Sequence, residues 1–245
     1  MVMEAEFIKS IIKETEKISR RNYEVRQKDK NGDLVTTLDI EIEQYLIKQI
    51  KQKYPNFDIV SEEFNPNEKT TENCFIIDPI DGTINFANNI PLWGIQIACK
   101  KDGETIASAI NLPKINEFYY ADKTGAYLND KKISVREVPI KNAVYSIIGK
   151  NSPLSTEKIR KGYSKNHRNF GAACVAFAFM ASGRTHGVNF RVEHPWDYEP
   201  GMFICKMAGA KVKSEEGFHA VAMNQELLDI LEKETALSKS SQIMI

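Results

Sequence analysis

The sequence lacks several features that point to particular classes of protein. Lys and Arg together number 33, as do Asp and Glu, so no surplus of positive charge indicates nucleic-acid binding. The four cysteines form no Cys-x-x-Cys pair, which disfavours a zinc site, and they are too few for a disulfide scaffold. The first residues are acidic where a signal peptide is basic, and no apolar run is long enough to span a membrane. These absences predict a soluble, cytoplasmic protein that binds neither membrane nor nucleic acid.

The chain does have enough apolar sequence for a large core. Apolar residues make up 42% of its 245 residues, and a chain of this length can bury much of that surface. Apolar spacing predicts helices over about 1–21 and from near Asp39 to Pro55, then an antiparallel meander of strands between 57 and 120. Further on it predicts a strand at 143–149, a wholly apolar helix at 171–182, a helix at 196–208, strands at 210–213 and 220–223, and a closing helix from 225. The result is an α/β fold in one continuous unit.

Residues 78–83, which read D-P-I-D-G-T, are the most informative stretch. Pro79 disfavours the α region for Asp78, so we expect an apolar strand to end there and the chain to turn. Asp78 and Asp81 can then point at one spot, where a divalent cation removes their repulsion. Because no Cys or His lies near, oxygen ligands favour Mg²⁺ or Mn²⁺ over Zn²⁺. Gly82 allows close approach to the backbone, and Thr83 offers a hydroxyl and an N–H to an anion.

Asp, Pro and Gly are also ordinary turn residues, so this stretch alone fits a surface turn equally well. Three further acidic blocks favour a functional site: D-L-V-T-T-L-D at 33–39, the pair Glu62-Glu63 after a strand, and Trp196-Asp197. Asp39 fits a helix cap as well as a catalytic role. Glu63 is interpreted as a neighbour of the site. The four histidines show no metal-ligand spacing and are interpreted as ordinary core or surface residues.

Together the four blocks resemble the inositol monophosphatase family. D-L-V-T-x-x-D, a Glu pair, I-I-D-P-I-D-G-T-x-N-F and W-D-x-x-x-G follow in the family's order from Asp33 to Gly201. The resemblance implies a layered αβαβα sandwich of the inositol monophosphatase/fructose-1,6-bisphosphatase type. It also implies one phosphatase unit over 1–245, with most metal ligands in an N-terminal half (1–140). The C-terminal half (141–245) would contribute Asp197 and the substrate-facing segments.

The resemblance further implies Mg²⁺-dependent hydrolysis of a small phosphate monoester by direct attack of a metal-activated water. Two or three ions are expected, and Mn²⁺ can replace Mg²⁺. One ion would be held by Glu62, Asp78 and the Ile80 carbonyl, and a second by Asp78, Asp81 and Asp197, while Glu62 shares a weaker third. Thr83, paired with Asp39, would help to activate the water. The substrate would contact Asp81, the N–H groups of Gly82 and Thr83, and Ala173. Inhibition by Li⁺ and a homodimer are further expectations from the family.

The sequence departs from the family's pattern on the substrate side. Phe190 stands where a Glu that contacts inositol is expected, and Ser61 stands where Gly usually precedes the Glu pair. A phenyl ring cannot accept hydrogen bonds from substrate hydroxyls. Arg191 and Glu193 fit substrate contacts or surface charges equally well. The substrate therefore stays open between an inositol-phosphate-like, sugar or polyol phosphate and the alternatives histidinol phosphate, fructose bisphosphate or a nucleotide.

Two rival functions remain. Asp81-Gly82-Thr83 superficially resembles the haloacid-dehalogenase phosphatases, which form an aspartyl phosphate. Those enzymes need Asp-x-Asp, whereas here two residues separate Asp78 from Asp81. The other rival is a regulatory protein that keeps the phosphatase fold and binds a partner such as RNA or a polymerase. The neutral net charge disfavours it.

Overall fold

The computed structural model describes residues 3–28, 34–148, 166–190, 194–215 and 217–241. The helices are α1 (Met3–Ile18), α2 (Thr37–Lys53), α3 (Thr83–Ala87), α4 (Ala173–Ala181), α5 (Pro195–Met207) and α6 (Gln225–Ser241). The strands are β1 (Val25–Gln27), β2 (Leu34–Thr36), β3 (Asp58–Ser61), β4 (Cys74–Asp81), β5 (Gly94–Lys101), β6 (Glu104–Leu112), β7 (Glu117–Asp122), β8 (Gly125–Leu128), β9 (Lys131–Ile133), β10 (Tyr145–Ile148), β11 (His167–Arg168), β12 (Gly187–Phe190), β13 (Lys211–Glu215) and β14 (Phe218–Ala222). Asp33, Arg191 and Glu193 lie outside the described residues, and their interpretations stay predictions.

A seven-stranded sheet carries most of the acidic residues. Its strand order is β3-β4-β5-β6-β7-β8-β9. Strands β4 to β9 pair antiparallel with their sequence neighbours, which confirms the predicted meander from β4 onward. The antiparallel prediction is wrong for the strand that follows residue 57, because β3 pairs parallel with β4 and is joined to it by the longer connection over residues 62–73. Because Ser61 pairs with Ile77, Glu62 and Asp78 follow at the same edge of the sheet.

The two faces of this sheet belong to different parts of the core. Phe75 and Ile77 of β4 join the apolar cluster beneath α1 and α2. Cys74 and Ile76, which point the other way, pack with Trp196 of α5. This alternation is the period of two expected of a strand. Strand β4 is buried along its whole length, so the carboxylates at its end lie inside the protein.

A second sheet of five strands completes the layers. Its order is β11-β10-β12-β14-β13. Helices α4 and α5 lie between the two sheets, and α6 packs on the outer face of the second sheet. With α1 and α2 on the far side of the first sheet, this is the expected αβαβα sandwich. The division at residue 140 stays a prediction. None of the described helices is long and apolar enough to cross a membrane.

Helices α4 and α5 cross at very short range. A Cβ at Gly201 of α5 would lie 2.4 Å from the ring of Phe177 on α4, so glycine permits the close contact. Helix α4 is apolar on all sides and almost wholly buried, as its sequence predicts. Helix α5 begins at Pro195 and continues through Pro200, whose carbonyl accepts a hydrogen bond of 2.8 Å from Ser108 Oγ. Asp197 lies in the first turn of α5, close enough for its charge to raise the pKa of Asp78 on β4.

Candidate active site

Asp78 and Asp81 lie near the end of β4. Asp78 is opposite Gln96 of β5, and the register shifts before Asp81, as expected beside Pro79, which has no N–H to donate. The prediction that the chain turns at Asp78 is therefore wrong, because the strand continues to Asp81 and the turn follows at Gly82. Asp78 is 1% exposed and Asp81 is 9% exposed, so the surface-turn interpretation is excluded.

Gly82 makes the turn that leads into α3. Its φ of +90° is a conformation that side chains disfavour. A Cβ at this position would lie 2.8 Å from the Cβ of Ala172, so a larger residue would also clash. The turn thus lies directly against the segment that enters α4. The hydroxyl of the next residue, Thr83, donates a hydrogen bond of 3.0 Å to the carbonyl of Ile80.

The carboxylate of Asp81 binds the start of α4. Oδ1 accepts a hydrogen bond of 3.2 Å from the N–H of Ala173, and Oδ2 accepts one from the N–H of Cys174. Burial raises the pKa of Asp81, and these hydrogen bonds oppose the rise. The structure therefore brings together Asp81 and Ala173, two residues predicted to contact the substrate.

Asp78 is the centre of the acidic group. Burial raises the pKa of its carboxyl well above the usual range, and the charges of Glu62, Asp81 and Asp197 raise it further. Gln96 Nε2 lies 3.4 Å from Oδ2 of Asp78. Oδ1 of Asp78 is buried and has no hydrogen-bond partner among the described residues. Such an atom carries a large desolvation cost unless something else binds it.

Glu62 is held by a lysine. Lys28 Nζ lies 3.1 Å from Glu62 Oε1 and 2.6 Å from Glu63 Oε1. Burial raises the pKa of Glu62, and the charge of Lys28 opposes the rise. Burial also lowers the pKa of Lys28, but the two carboxylates outweigh this and raise it above its usual value. The ammonium group supplies positive charge at the edge of the acidic group.

Asp39 lies in the first turn of α2, and Thr36 is the N-cap. Asp39 Oδ2 accepts a hydrogen bond of 2.7 Å from the N–H of Thr36, and the N–H of Asp39 donates one of 3.4 Å to the Thr36 hydroxyl oxygen, which completes a capping box. The Thr36 hydroxyl also donates to Asp39 Oδ2 at 2.5 Å. Helix α2 begins at Thr37, two residues before the predicted start. Burial raises the pKa of Asp39 to about 7, although the hydrogen bonds from Thr36 oppose the rise. Asp39 is hydrogen-bonded to Thr36, and Thr83 is hydrogen-bonded to the carbonyl of Ile80. The direct pairing of Thr83 with Asp39 stays a prediction.

The donor set fits divalent cations of the Mg²⁺ type. Its atoms are carboxylate and carbonyl oxygens, which are the ligands that Mg²⁺ prefers. Several of the carboxylates raise one another's pKa, and Oδ1 of Asp78 has no hydrogen-bond partner among the described residues. Glu62 faces Lys28, and Asp81 faces the N–H groups of α4. In this arrangement no three His, Cys, Asp or Glu side chains of the described ranges form a metal-binding group. The predicted ligands would therefore exchange these partners for an ion.

The sequence patterns do not predict two residues that lie beside the acidic group, Gln96 and Lys28. Gln96 is fully buried, and its amide in an otherwise apolar alternating strand was a signal that could have revealed it. Lys28 lies in a polar run and carries no comparable signal. Phe190, in contrast, is 1% exposed and packs with its ring 5.7 Å from that of Phe177. Its side chain therefore belongs to the core between the sheets.

The sequence matches the model of the inositol monophosphatase family over residues 3–240. The chain is 30% identical over 210 residues to the fructose-1,6-bisphosphatase/inositol-1-monophosphatase of Thermotoga maritima, covering 83% of this chain and 80% of the relative. It is 31% identical over 199 residues to the Nus factor SuhB of Vibrio cholerae, covering 76% and 74%. The solved IMPase of Thermotoga maritima superposes with a TM-score of 0.86 at 23% identity, over 98% of this chain and 99% of that chain.

These likenesses confirm the predicted family and the predicted fold. The fold is the αβαβα sandwich of the inositol monophosphatase/fructose-1,6-bisphosphatase type. The D-P-I-D-G-T and W-D blocks lie within the matched region, at positions where the structure surrounds Asp78 with carboxylates. The chain belongs to the inositol monophosphatase family, whose members are metal-dependent phosphoric monoester hydrolases.

Proposed function

We propose that this protein hydrolyses a small phosphate monoester with the help of two or three Mg²⁺ ions, which Mn²⁺ can replace. The observation that carries the proposal is the environment of Asp78. Its buried carboxylate is surrounded by the charges of Glu62, Asp81 and Asp197, and burying such a group without a counter-charge is costly. Divalent cations remove that cost, and the resulting positive charge attracts a phosphate ester.

The ligands proposed for the first ion are Glu62, Asp78 and the Ile80 carbonyl. Those proposed for the second are Asp78, Asp81 and Asp197, and Glu62 would share a weaker third ion. When bound, the ions would lower the pKa of the attacking water and neutralise charge on the phosphate oxygens. Asp78 lies in both sets, so its loss is expected to affect the whole site.

The other residues act by holding protons and orienting groups. Asp39 has a pKa of about 7, so its carboxylate can accept a proton from a neighbouring hydroxyl at neutral pH. Thr83 is the hydroxyl proposed to work with it. The N–H groups of Gly82 and Thr83 would bind phosphate oxygens. The N–H of Ala173 donates to Asp81 at 3.2 Å in this structure. It would be released when Asp81 binds an ion, and the two groups would then orient the alcohol side of the ester.

The substrate class proposed is an inositol-phosphate-like, sugar or polyol phosphate. The name of the Thermotoga relative gives both fructose-1,6-bisphosphatase and inositol-1-monophosphatase, which supports a sugar or an inositol phosphate. Phe190 lies in the core, so an inositol contact at that position is not supported. Histidinol phosphate, fructose bisphosphate and nucleotides remain alternatives on the same fold.

The decisive experiment measures phosphate release from a panel of sugar, polyol, inositol, histidinol and nucleotide phosphates. We expect release with Mg²⁺ and none with EDTA. Hydrolysis of an ester made chiral at phosphorus should invert the configuration, because water displaces the alcohol in one step. Retention of configuration would instead support an aspartyl phosphate of the haloacid-dehalogenase kind, since two displacements at phosphorus restore the original configuration.

A second candidate function is that of a regulatory binding protein. It is favoured by the likeness to a relative named as a Nus factor. The two functions separate in the Asp78→Asn variant, which should lose hydrolysis but keep any binding surface. The absence of phosphate release across the whole panel with Mg²⁺ would favour this second function.

The family resemblance also supports a homodimer and inhibition by Li⁺, and the cysteine usage supports a cytoplasmic location. Light scattering on the eluting protein tests the dimer. A Li⁺ titration of phosphate release, compared with Na⁺ at equal ionic strength, tests the inhibition.

A further inference from the structure

The turn that carries Glu62 is held by a buried carboxylate on another element. Glu43 of α2 reaches across to the residues that follow Glu62. Its Oε2 accepts a hydrogen bond of 2.9 Å from the N–H of Glu63, and its Oε1 accepts one of 2.8 Å from the N–H of Phe64. Both oxygens of one side chain therefore fix the backbone immediately beyond Glu62.

Glu43 is fully buried. Burial raises the pKa of its carboxyl, and hydrogen bonds from Ser61, Phe64 and Glu63 oppose the rise. A buried carboxylate is costly to keep, and an apolar residue would fill the same space at lower cost. What the carboxylate supplies, and an apolar side chain could not, is a pair of directed hydrogen bonds to this turn.

Ser61 holds the other end of the same turn. Its side chain is buried and accepts a hydrogen bond of 3.0 Å from Asn65 Nδ2, and it opposes the rise in the pKa of Glu43. Ser61 also forms a bridge with Asn65. The turn is thus closed on both sides of Glu62. The family resemblance leads us to expect glycine at position 61. Ser61 adds a hydroxyl that glycine would lack.

Helix α2 directs Glu43 and Asp39 to the same side. The two residues are four apart in the helix, so their side chains lie on one face. The capping box at Thr36 fixes where that helix begins. Helix α2 therefore carries Asp39 and also, through Glu43, holds the turn that carries Glu62.

We propose that Glu43 and Ser61 are positioning residues that hold Glu62 toward the acidic group and so set the affinity of the protein for Mg²⁺. They take no part in the chemistry of the ester. The inference rests on the proposed function, since Glu62 is a metal ligand only within it. Residues that orient a metal ligand from behind commonly change metal affinity by about 10- to 100-fold when removed.

The test measures Mg²⁺ binding by titration calorimetry, without substrate, in Glu43→Gln and Ser61→Ala. The amide of Glu43→Gln can accept from only one of the two N–H groups. We expect its Mg²⁺ affinity to fall about 10- to 100-fold, and that of Ser61→Ala to fall by less. The matched control is Glu41→Gln on the same helix, whose side chain is 45% exposed and paired with Arg21. Its Mg²⁺ affinity should equal that of the wild type.

A second measurement separates positioning from a general loss of structure. At saturating Mg²⁺, kcat and the KM for the ester should return close to wild-type values in both variants. Unchanged Mg²⁺ affinity in folded Glu43→Gln and Ser61→Ala overturns the inference. So does a change in KM that persists at saturating Mg²⁺. If Glu43→Gln does not fold, Ser61→Ala decides alone.

The proposed function can fail separately from this inference. Wild-type protein that binds Mg²⁺ but hydrolyses none of the esters contradicts the proposed function, while the calorimetric comparison of the variants still decides the role of Glu43. Wild-type protein that binds no Mg²⁺ overturns both, because Glu62 would then hold no ion.

Discussion

Asp81 and Ala173 are joined by a hydrogen bond of 3.2 Å, from the Ala173 N–H to the Asp81 carboxylate, across 92 residues of sequence. With the bond from the N–H of Cys174, it makes Asp81 the cap of a helix whose own N-cap residue, Ala172, offers no side-chain hydrogen bond. One carboxylate thus links the D-G-T turn to the interior helix between the sheets. The same carboxylate is proposed to bind metal, so its loss should affect both stability and catalysis.

Asp81→Asn should lower the melting temperature of the metal-free protein and abolish hydrolysis. The amide can accept from only one of the two N–H groups, and a buried donor left unpaired costs about 1–3 kcal/mol. For a chain of this size that corresponds to roughly 2–4 °C per kcal/mol. Thermal melting in EDTA measures the effect. An unchanged melting temperature would show that the cap on α4 contributes little.

Asp78→Asn should have the opposite effect on stability while also abolishing hydrolysis. Within the described part of the chain, Asp78 Oδ1 accepts no hydrogen bond, and its charge is repelled by three other carboxylates. A neutral amide of equal size removes that repulsion, so the metal-free protein should melt at a higher temperature. Mg²⁺ should stabilise the wild type but not the variant. Asp102→Asn, in an exposed turn with positive φ that Asn tolerates, is the matched control.

Lys28→Met should strengthen Mg²⁺ binding. The ammonium group pairs with Glu62 at 3.1 Å, so an ion that binds Glu62 must compete with it. Lys28 is one-third exposed, and partly exposed pairs are worth about 0.2–1 kcal/mol, which predicts a gain in affinity of about 1.4- to fivefold. Calorimetry measures the gain, and Lys17→Met, which removes an exposed pair with Glu14 on α1, provides the control. Weaker binding in Lys28→Met would mean that the lysine helps to hold the ion site together.

The stability of the metal-free protein should fall as pH rises. Burial raises the pKa of Asp39 from 3.8 to about 7, and the carboxyls of Glu62, Asp78 and Asp81 shift in the same direction. The folded protein therefore keeps protons that the unfolded chain has already lost, so the free energy of unfolding decreases between about pH 4 and pH 7. Urea unfolding in EDTA at pH 5 and pH 8 measures the decrease. Saturating Mg²⁺ should remove most of it, because the ionised carboxylates then have counter-charges.

The sequence predicts those parts of the site that depend on local pattern. The D-P-I-D-G-T block, the Glu pair and the W-D block locate the carboxylates, and the uniform apolarity of α4 predicts its burial. The sequence predicts a turn at Asp78, whereas the turn lies at Gly82. The strand continues past Pro79 because the register between β4 and β5 shifts there. Such pairing is not encoded next to the proline.

The partners of the site residues could not be predicted for the same reason. Lys28 pairs with Glu62, and Asp81 accepts hydrogen bonds from the start of α4, only because separate elements pack together. The family resemblance assigns ligands to the ions. It does not indicate which groups bind those ligands when no ion is bound. Gln96 and Glu43 are buried polar residues whose roles emerge from the positions of β5 and α2.

The meander of β4 to β9 joins strands that are neighbours in sequence, and contacts of this kind form readily during folding. The acidic group is different, because Glu62, Asp78 and Asp197 come from an edge strand's turn, the next strand, and a helix near the far end of the chain. A folding intermediate with an intact meander would carry Asp78 and Asp81 without the remaining carboxylates. The proposed Mg²⁺ binding would therefore report completion of the long-range tertiary structure, and its time course during refolding would mark the last stage of assembly.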